Sequence, residues 1–167
     1  MCFVKTIVPP SFKFSKVLKN QDVTLSSDST MVKVETKNVN PISMALVEPA
    51  LTAGPSKILF SVNRFIGCVM VGVCFSSFMT AGKCTFDCKC YVINVGGNEE
   101  EGKQGNFLLM WNGKSFTHDK PATKTNCTFN DQDLVSVECD PSTGKVTYEI
   151  LGTNKTYVQY VPKELLQ

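Results

Sequence analysis

Three of the eight cysteines in this 167-residue chain, Cys84, Cys88 and Cys90, lie close enough in sequence to suggest a metal site. Zinc needs four Cys or His ligands in a tetrahedron, and a tight C-x2-C loop commonly supplies two of them. The spacing here is C-x3-C-x-C, which does not form that loop. On a strand the three thiols would share one face with Phe86, because alternate side chains point the same way. The pattern predicts buried thiols packed as small apolar side chains, and no metal site.

His118 is the only histidine and the remaining candidate for nucleophilic or acid–base chemistry. A Cys–His pair requires one of the cysteines beside the imidazole, and nothing in the sequence positions one there. The surrounding segment, 117–121, has the composition of an exposed turn, and no pair of carboxylates is evident. We therefore predict that the chain has no catalytic residues and is not an enzyme. A cysteine-dependent enzyme is kept as an alternative.

The segment 97–104 almost matches the phosphate-binding loop G-x4-G-K-[ST]. Gln104 replaces the hydroxyl residue that would bind magnesium. The three glutamates 99–101 would repel phosphates, and no helix follows to present free N–H groups. The segment is thus predicted to be a solvated loop, and no cofactor is expected.

Composition favours one globular domain. Hydrophobic residues make up 43% of the chain, which argues against disorder, and the net charge is only +2. The lysines are scattered, so no nucleic-acid-binding surface is expected. No apolar run of about 18 residues is present, so no membrane span is expected.

The N-terminus does not resemble a signal peptide, because Pro9-Pro10 interrupts a short apolar stretch. We accordingly expect a cytoplasmic protein with free cysteines. The predicted organisation is an arm at 1–20 that packs on the domain, a domain at 21–161, and a tail at 162–167. Phe12 and Phe14 are the expected anchors of the arm.

No segment has helical periodicity over three turns, whereas short strands separated by turn signals recur along the chain. Such spacing is typical of a β-sandwich or barrel. The apolar segments 57–65 and 68–75 have the composition of strands buried on both faces. The predicted strands are 22–25, 31–36, 42–47, 57–65, 68–75, 86–95 and 106–111, followed by a hairpin within 129–157.

That hairpin has the clearest pattern in the chain. Apolar and polar residues alternate from 135 to 140 and again from 145 to 150, which marks two half-buried antiparallel strands. The segment Asp140-Pro-Ser-Thr-Gly144 between them has proline early and glycine last, as a tight turn requires. The residues predicted to point into the core are Val135, Val137, Cys139, Val146, Tyr148 and Ile150.

The hairpin resembles the C-terminal signature of SPRY domains, Phe-x-x-Gly-Asp-x-Val-x-Val-x-x-Asp followed by a glycine turn, an aromatic-bearing strand and an Asn-Gly turn. The matching residues are Phe129, Asp133, Val135, Val137, Asp140, Gly144, Tyr148 and Asn154. Gln132 and Lys155 stand where the family usually has glycine. Upstream, Val71-Gly72-Val73 and the segment 23–32 are similar to further SPRY strands, so the resemblance covers residues 20 to 160.

This resemblance implies an all-β fold, a bent antiparallel β-sandwich of SPRY or concanavalin-like jelly-roll architecture. It also implies a non-catalytic protein–protein interaction module, which we expect to be a stand-alone adaptor or structural subunit of a larger protein assembly. A lectin-like carbohydrate-binding domain is the alternative on the same architecture.

SPRY domains usually bind partners through loops at one rim. By strand order the corresponding loops here are 63–67, 76–83 and 111–114. Arg64 offers a guanidinium for carboxylates, and Phe78 with Met79 would be unusual on a loop without a partner. The candidate partner-binding residues are Asn63, Arg64, Phe65, Ser76, Ser77, Phe78, Met79, Trp111 and Asn112.

Overall fold

The computed structural model describes residues 2–8, 12–34, 43–51, 54–63, 70–74, 90–94, 114–117, 123–125, 127 and 132–165. Within them the strands are β1 Cys2–Val8, β2 Lys13–Lys19, β3 Val23–Leu25, β4 Met31–Val34, β5 Ala45–Glu48, β6 Ser56–Asn63, β7 Met70–Cys74, β8 Cys90–Asn94, β9 Lys114–Thr117, β10 Thr123–Lys124, β11 Leu134–Asp140, β12 Lys145–Ile150 and β13 Thr156–Tyr160. A short 3-10 helix, Lys163–Leu165, follows β13.

The described strands form three sheets in which every pair is antiparallel. The largest has the order β13-β12-β11-β6-β1-β4-β3, the second β10-β9-β8-β7, and the third pairs β2 with β5. No α-helix occurs in the described part of the chain. The all-β prediction is confirmed for that part.

The β11–β12 hairpin forms as predicted. Val137 lies opposite Tyr148 and Cys139 lies opposite Val146, so the predicted apolar residues share one face. Gly144 has φ 69°, the left-handed conformation that closes the turn, and its N–H donates to the Asp140 carbonyl at 2.9 Å. Burial of each large side chain on this face contributes about 1.5–3 kcal/mol. The buried apolar residues are Phe14, Val23, Val32, Phe60, Val71, Cys127, Val135, Val137, Cys139, Val146, Tyr148, Ile150 and Val161.

The central strands are buried on both faces where β11 pairs with β6. Val135 lies opposite Phe60, and their sequence neighbours Ser136 and Ser61, which point to the other face, are also buried. The segment 57–65 was predicted to be a strand buried on both faces, and β6 confirms this at its centre.

Residues 2–8 depart from the sequence prediction. They were assigned to an arm on the domain, but they form β1, which lies between β6 and β4 in the large sheet. The sheet therefore starts at residue 2 and not after residue 20. Both partners of β1 are distant in sequence, so no local hairpin signal marks it. Phe14, in contrast, is buried as the predicted anchor, whereas Phe12 is only half-buried.

The predicted strands 22–25 and 31–36 are present as β3 and β4, which form an antiparallel hairpin in which Val32 is buried. Asp28 organises the turn: its carboxylate accepts from the Ser26 hydroxyl at 2.6 Å and from both the N–H and the hydroxyl of Thr30. These bonds lower the pKa of Asp28 from 3.8 to about 2, with the Ser26 hydroxyl as the largest cause. The next residue, Ser29, has φ 58°, and its carbonyl accepts from the N–H of Phe14 at 2.8 Å. The turn thereby attaches β2 to the large sheet.

The remaining predicted strands agree in part. β7 lies within 68–75 and β8 within 86–95, whereas β5 starts three residues later than the predicted strand 42–47. The predicted strand 106–111 lies outside the described residues.

The Asp28 turn predicts a pH dependence. The folded-state pKa is below that of the unfolded chain, so Asp28 stabilises the protein above pH 3.8 and loses this effect as pH falls towards about 2. In the parent protein the free energy of unfolding should rise as pH increases from about 2 to above 3.8. In Asp28→Asn this rise should be smaller, as measured by urea denaturation at successive pH values. Ser27→Ala, at an exposed position of the same turn, is the control. A slope as steep in Asp28→Asn as in the parent protein would contradict the assignment.

Candidate protein-recognition surfaces

Of the nine predicted partner-binding residues, only Asn63 lies among the described residues. It ends β6, and its Cα lies opposite that of Phe3 in β1. The others lie outside the described residues: Arg64, Phe65, Ser76, Ser77, Phe78, Met79, Trp111 and Asn112.

Strand register shows at which end of the second sheet β7 and β9 begin and at which end β7 stops. Met70 lies opposite Asn94, and Ile93 lies opposite Ser115, so β7 and β9 start at the same end of that sheet. Cys74, where β7 stops, is at the other end. The chain that precedes Met70 and Lys114 therefore meets one end of the sheet, and the chain that follows Cys74 meets the opposite end. By sequence, 64–65 and 111–112 precede strands of this sheet and 76–79 follow one, so we treat the predicted residues as two groups: 63–65 with 111–112, and 76–79.

A second exposed surface was not predicted. Thr156, Val158 and Tyr160 lie on one face of β13; we call them the β13 face. Tyr160 is 66% exposed and Val158 is 37% exposed. The sequence contains the pattern that predicts this surface. In the strand Thr-Tyr-Val-Gln-Tyr alternate side chains point to opposite faces, so Thr156, Val158 and Tyr160 point outward if Gln159 points inward.

Buried contacts hold β13 against β12. The Tyr148 hydroxyl donates to Gln159 Oε1 at 2.8 Å in a buried position, and the ring of Tyr148 stacks with that of Tyr157 at a centroid distance of 6.3 Å. Val161 N–H also donates to the Gly144 carbonyl at 2.8 Å. These contacts fix the position of the β13 face relative to β12.

Charges of both signs adjoin the β13 face. Lys145 lies opposite Tyr160, and Glu149 lies opposite Thr156 in the β12–β13 ladder. Glu149 also pairs with Lys57 at 3.0 Å, but both side chains are substantially exposed, so this ion pair contributes little to stability.

Two of the described cysteines are poor candidates for a nucleophile. Cys127 and Cys139 are buried, and burial raises the pKa of both thiols. A raised pKa reduces the thiolate fraction, which is the reactive form. His118, Cys84, Cys88 and the segment 97–104 lie outside the described residues. Among the residues that are described, no group of three or more His, Cys, Asp or Glu is arranged to bind a metal.

Comparison with known proteins gives no family assignment. The chain matches no protein-family model, and no curated protein is similar to it. Within the described ranges, none of the helical residues forms a segment of the length and apolarity needed to cross a membrane.

Tyr148→Phe tests the contact that positions β13. The substitution removes the hydroxyl that Gln159 Oε1 accepts from in a buried site, so we expect a loss of about 1–3 kcal/mol in the free energy of unfolding, measured by urea denaturation. Tyr160→Phe is the matched control, since that ring is largely exposed and should change stability by less than about 0.5 kcal/mol. Equal stability of the two variants would show that the buried hydrogen bond does not hold the strand.

Proposed function

We propose that this chain is a SPRY-like β-sandwich that recognises a protein partner and has no catalytic activity of its own. Under this proposal the two larger sheets pack as a bent sandwich, and strand-end loops bind the partner. We propose an adaptor or a subunit of a larger assembly, in the cytoplasm, where cysteines stay reduced.

The backbone at Gln132 carries this proposal. The SPRY signature has glycine at this position, and glycine is favoured where φ is positive. Gln132 has φ 71°, a left-handed conformation that glycine adopts more readily than glutamine, so the backbone here suits the glycine of the signature. Asp133 and the β11–β12 hairpin follow it in the order of the signature.

The second departure from the signature has a different structure. Lys155, which stands at the other glycine position, is not among the residues with positive φ, whereas Gly152, three residues earlier, has φ 79°. Thr153 N–H donates to the Ile150 carbonyl at 3.2 Å and its hydroxyl to the same carbonyl at 2.8 Å. In the β12–β13 turn the left-handed conformation is at Gly152, so position 155 does not require glycine. Lys155 therefore does not weigh against the proposal.

Binding is favoured over catalysis by the residues that the structure describes. Cys127 and Cys139 are buried, and burial raises the pKa of both thiols, which makes them poor nucleophiles. A rigid scaffold that connects variable loops is well suited to recognition, because the loops can change without loss of the core.

Gln132→Gly tests the correspondence with the SPRY signature. Glycine relieves the strain of a positive φ, so the variant should be more stable than the parent by about 1 kcal/mol in urea denaturation. Gln21→Gly is the control: Gln21 is an exposed turn residue that is not in the left-handed region, so glycine there should reduce stability by up to about 1 kcal/mol. Destabilisation by Gln132→Gly would remove the main support for the proposal.

The partner-binding proposal is tested by affinity purification of the tagged full chain from its own cell, followed by identification of the bound protein and measurement of its affinity. Two double variants separate the two strand-end groups: Arg64→Ala with Trp111→Ala, and Phe78→Ala with Met79→Ala. We expect at least one pair to weaken binding tenfold or more, equivalent to about 1.4 kcal/mol. Lys16→Ala, at an exposed position of β2, should leave the affinity unchanged.

Other results of these experiments would overturn the proposal. A chain that copurifies with no protein would contradict it. Binding on a glycan array without a protein partner would support the lectin-like alternative. A hydrolytic activity that His118→Ala abolishes would support a cysteine-dependent enzyme.

A further inference from the structure

The outer edge of β13 has backbone groups that β12 does not use. Ile150 N–H donates to the Lys155 carbonyl, and Val161 N–H donates to the Gly144 carbonyl. Hydrogen-bonded pairs alternate along an antiparallel ladder, so residues 155, 157, 159 and 161 direct their N–H and C=O groups towards β12. Thr156, Val158 and Tyr160 therefore direct theirs away from the sheet. Among the described strands, none pairs with this edge.

This edge lacks the features that usually prevent strands from pairing. Edge strands are commonly short, charged, interrupted by proline or bulged. β3 and β10 are only three and two residues long, and β2 carries three lysines and has an irregular register with β5. β13, by contrast with these three strands, has five residues, no charge and no proline, and its register with β12 is regular. β7, at the edge of the second sheet, is also uncharged and regular, but glycine occupies its centre and weakens it as a pairing edge.

We propose that β13 pairs antiparallel with β13 of a second copy of this chain, which forms a two-fold dimer through a continuous sheet. Val158 lies on the two-fold axis opposite its own counterpart, and Thr156 of each copy lies opposite Tyr160 of the other. These residues supply the outward N–H and C=O groups of the new ladder.

The chemistry of the strand favours a second copy over a different protein. Identical strands bring like charges together unless the strand is uncharged, and Thr156–Tyr160 carries no charge. The flanking Lys155 would lie opposite Val161 of the second copy, not opposite another lysine. Pairing about a two-fold axis also uses the same edge in both copies, so assembly stops at the dimer.

The exposed side chains of the β13 face gain burial in the same arrangement. Val158 and Tyr160 point to one face of the sheet, where Tyr160 of one copy would cover Thr156 of the other. A contact built on five residues per chain is small compared with a standard interface of about 1,600 Å². The dimer should therefore be reversible and depend on protein concentration.

Sedimentation velocity of the full chain over a dilution series tests the proposal. The parent protein should change from monomer to dimer as its concentration rises. Val158→Lys places two lysines opposite each other on the two-fold axis and should weaken the dimer by about tenfold or more. Val17→Lys makes the same substitution at a 62%-exposed valine on β2 and should dimerise like the parent. A parent protein that stays monomeric, or an equal loss in both variants, would overturn the proposal.

Hydrogen exchange on the unmodified protein gives a test that needs no variant. The amides of Val158 and Tyr160 should exchange rapidly in dilute solution and slow down as concentration rises, because the second copy then accepts from them. The amides of Tyr157 and Gln159, which bond to β12, should show no such change. If the amides of Val158 and Tyr160 are already protected in the dilute monomer, another segment of the chain covers the edge, and the proposal is wrong.

Discussion

The pairing of β11 with β6 is the interaction on which the rest of this structure depends. It joins two distant segments of the chain, and the hairpin β11–β12 and the strands β1 and β4 extend from its two sides. Val135 and Ser136 are both buried, so this ladder has no face open to water at its centre. A slip of one residue would turn Ser136 and Glu138 towards the apolar core, and the cost of burying that carboxylate fixes the register.

Register in turn determines what the surfaces can do. Once Tyr148 points inward, Gln159 must meet its hydroxyl, and the alternation of β13 then directs Val158 and Tyr160 outward. The exposed tyrosine is thus a consequence of a buried one on the neighbouring strand. A turn residue likewise determines how β2 joins the edge of the sheet. The hydrogen bonds of Asp28 hold the turn in which Ser29 has a positive φ, and the Ser29 carbonyl then accepts from the N–H of Phe14.

Sequence patterns predicted the elements that form between neighbouring segments of the chain. The hairpins β3–β4 and β11–β12 were found because alternation and turn residues lie within a short stretch of sequence. β1 was missed because its partners, β4 and β6, are distant and no turn residue marks the pairing. Of the predicted site, the structure describes only Asn63, whereas the β13 face required knowledge of which strand lies at the edge. Sequence alternation reports the side to which a residue points, but edge position depends on long-range pairing.

The two proposed contacts use different parts of the same sheets. Loops that leave at strand ends present side chains along the strand direction, whereas the β13 edge presents backbone groups perpendicular to it. A dimer through β13 would carry two copies of each strand-end group, so a partner with repeated binding sites would be bound more tightly by effective concentration, without any new contact. Weak pairing at the edge would then be sufficient, because the assembly itself would supply the high local concentration that the dimer needs.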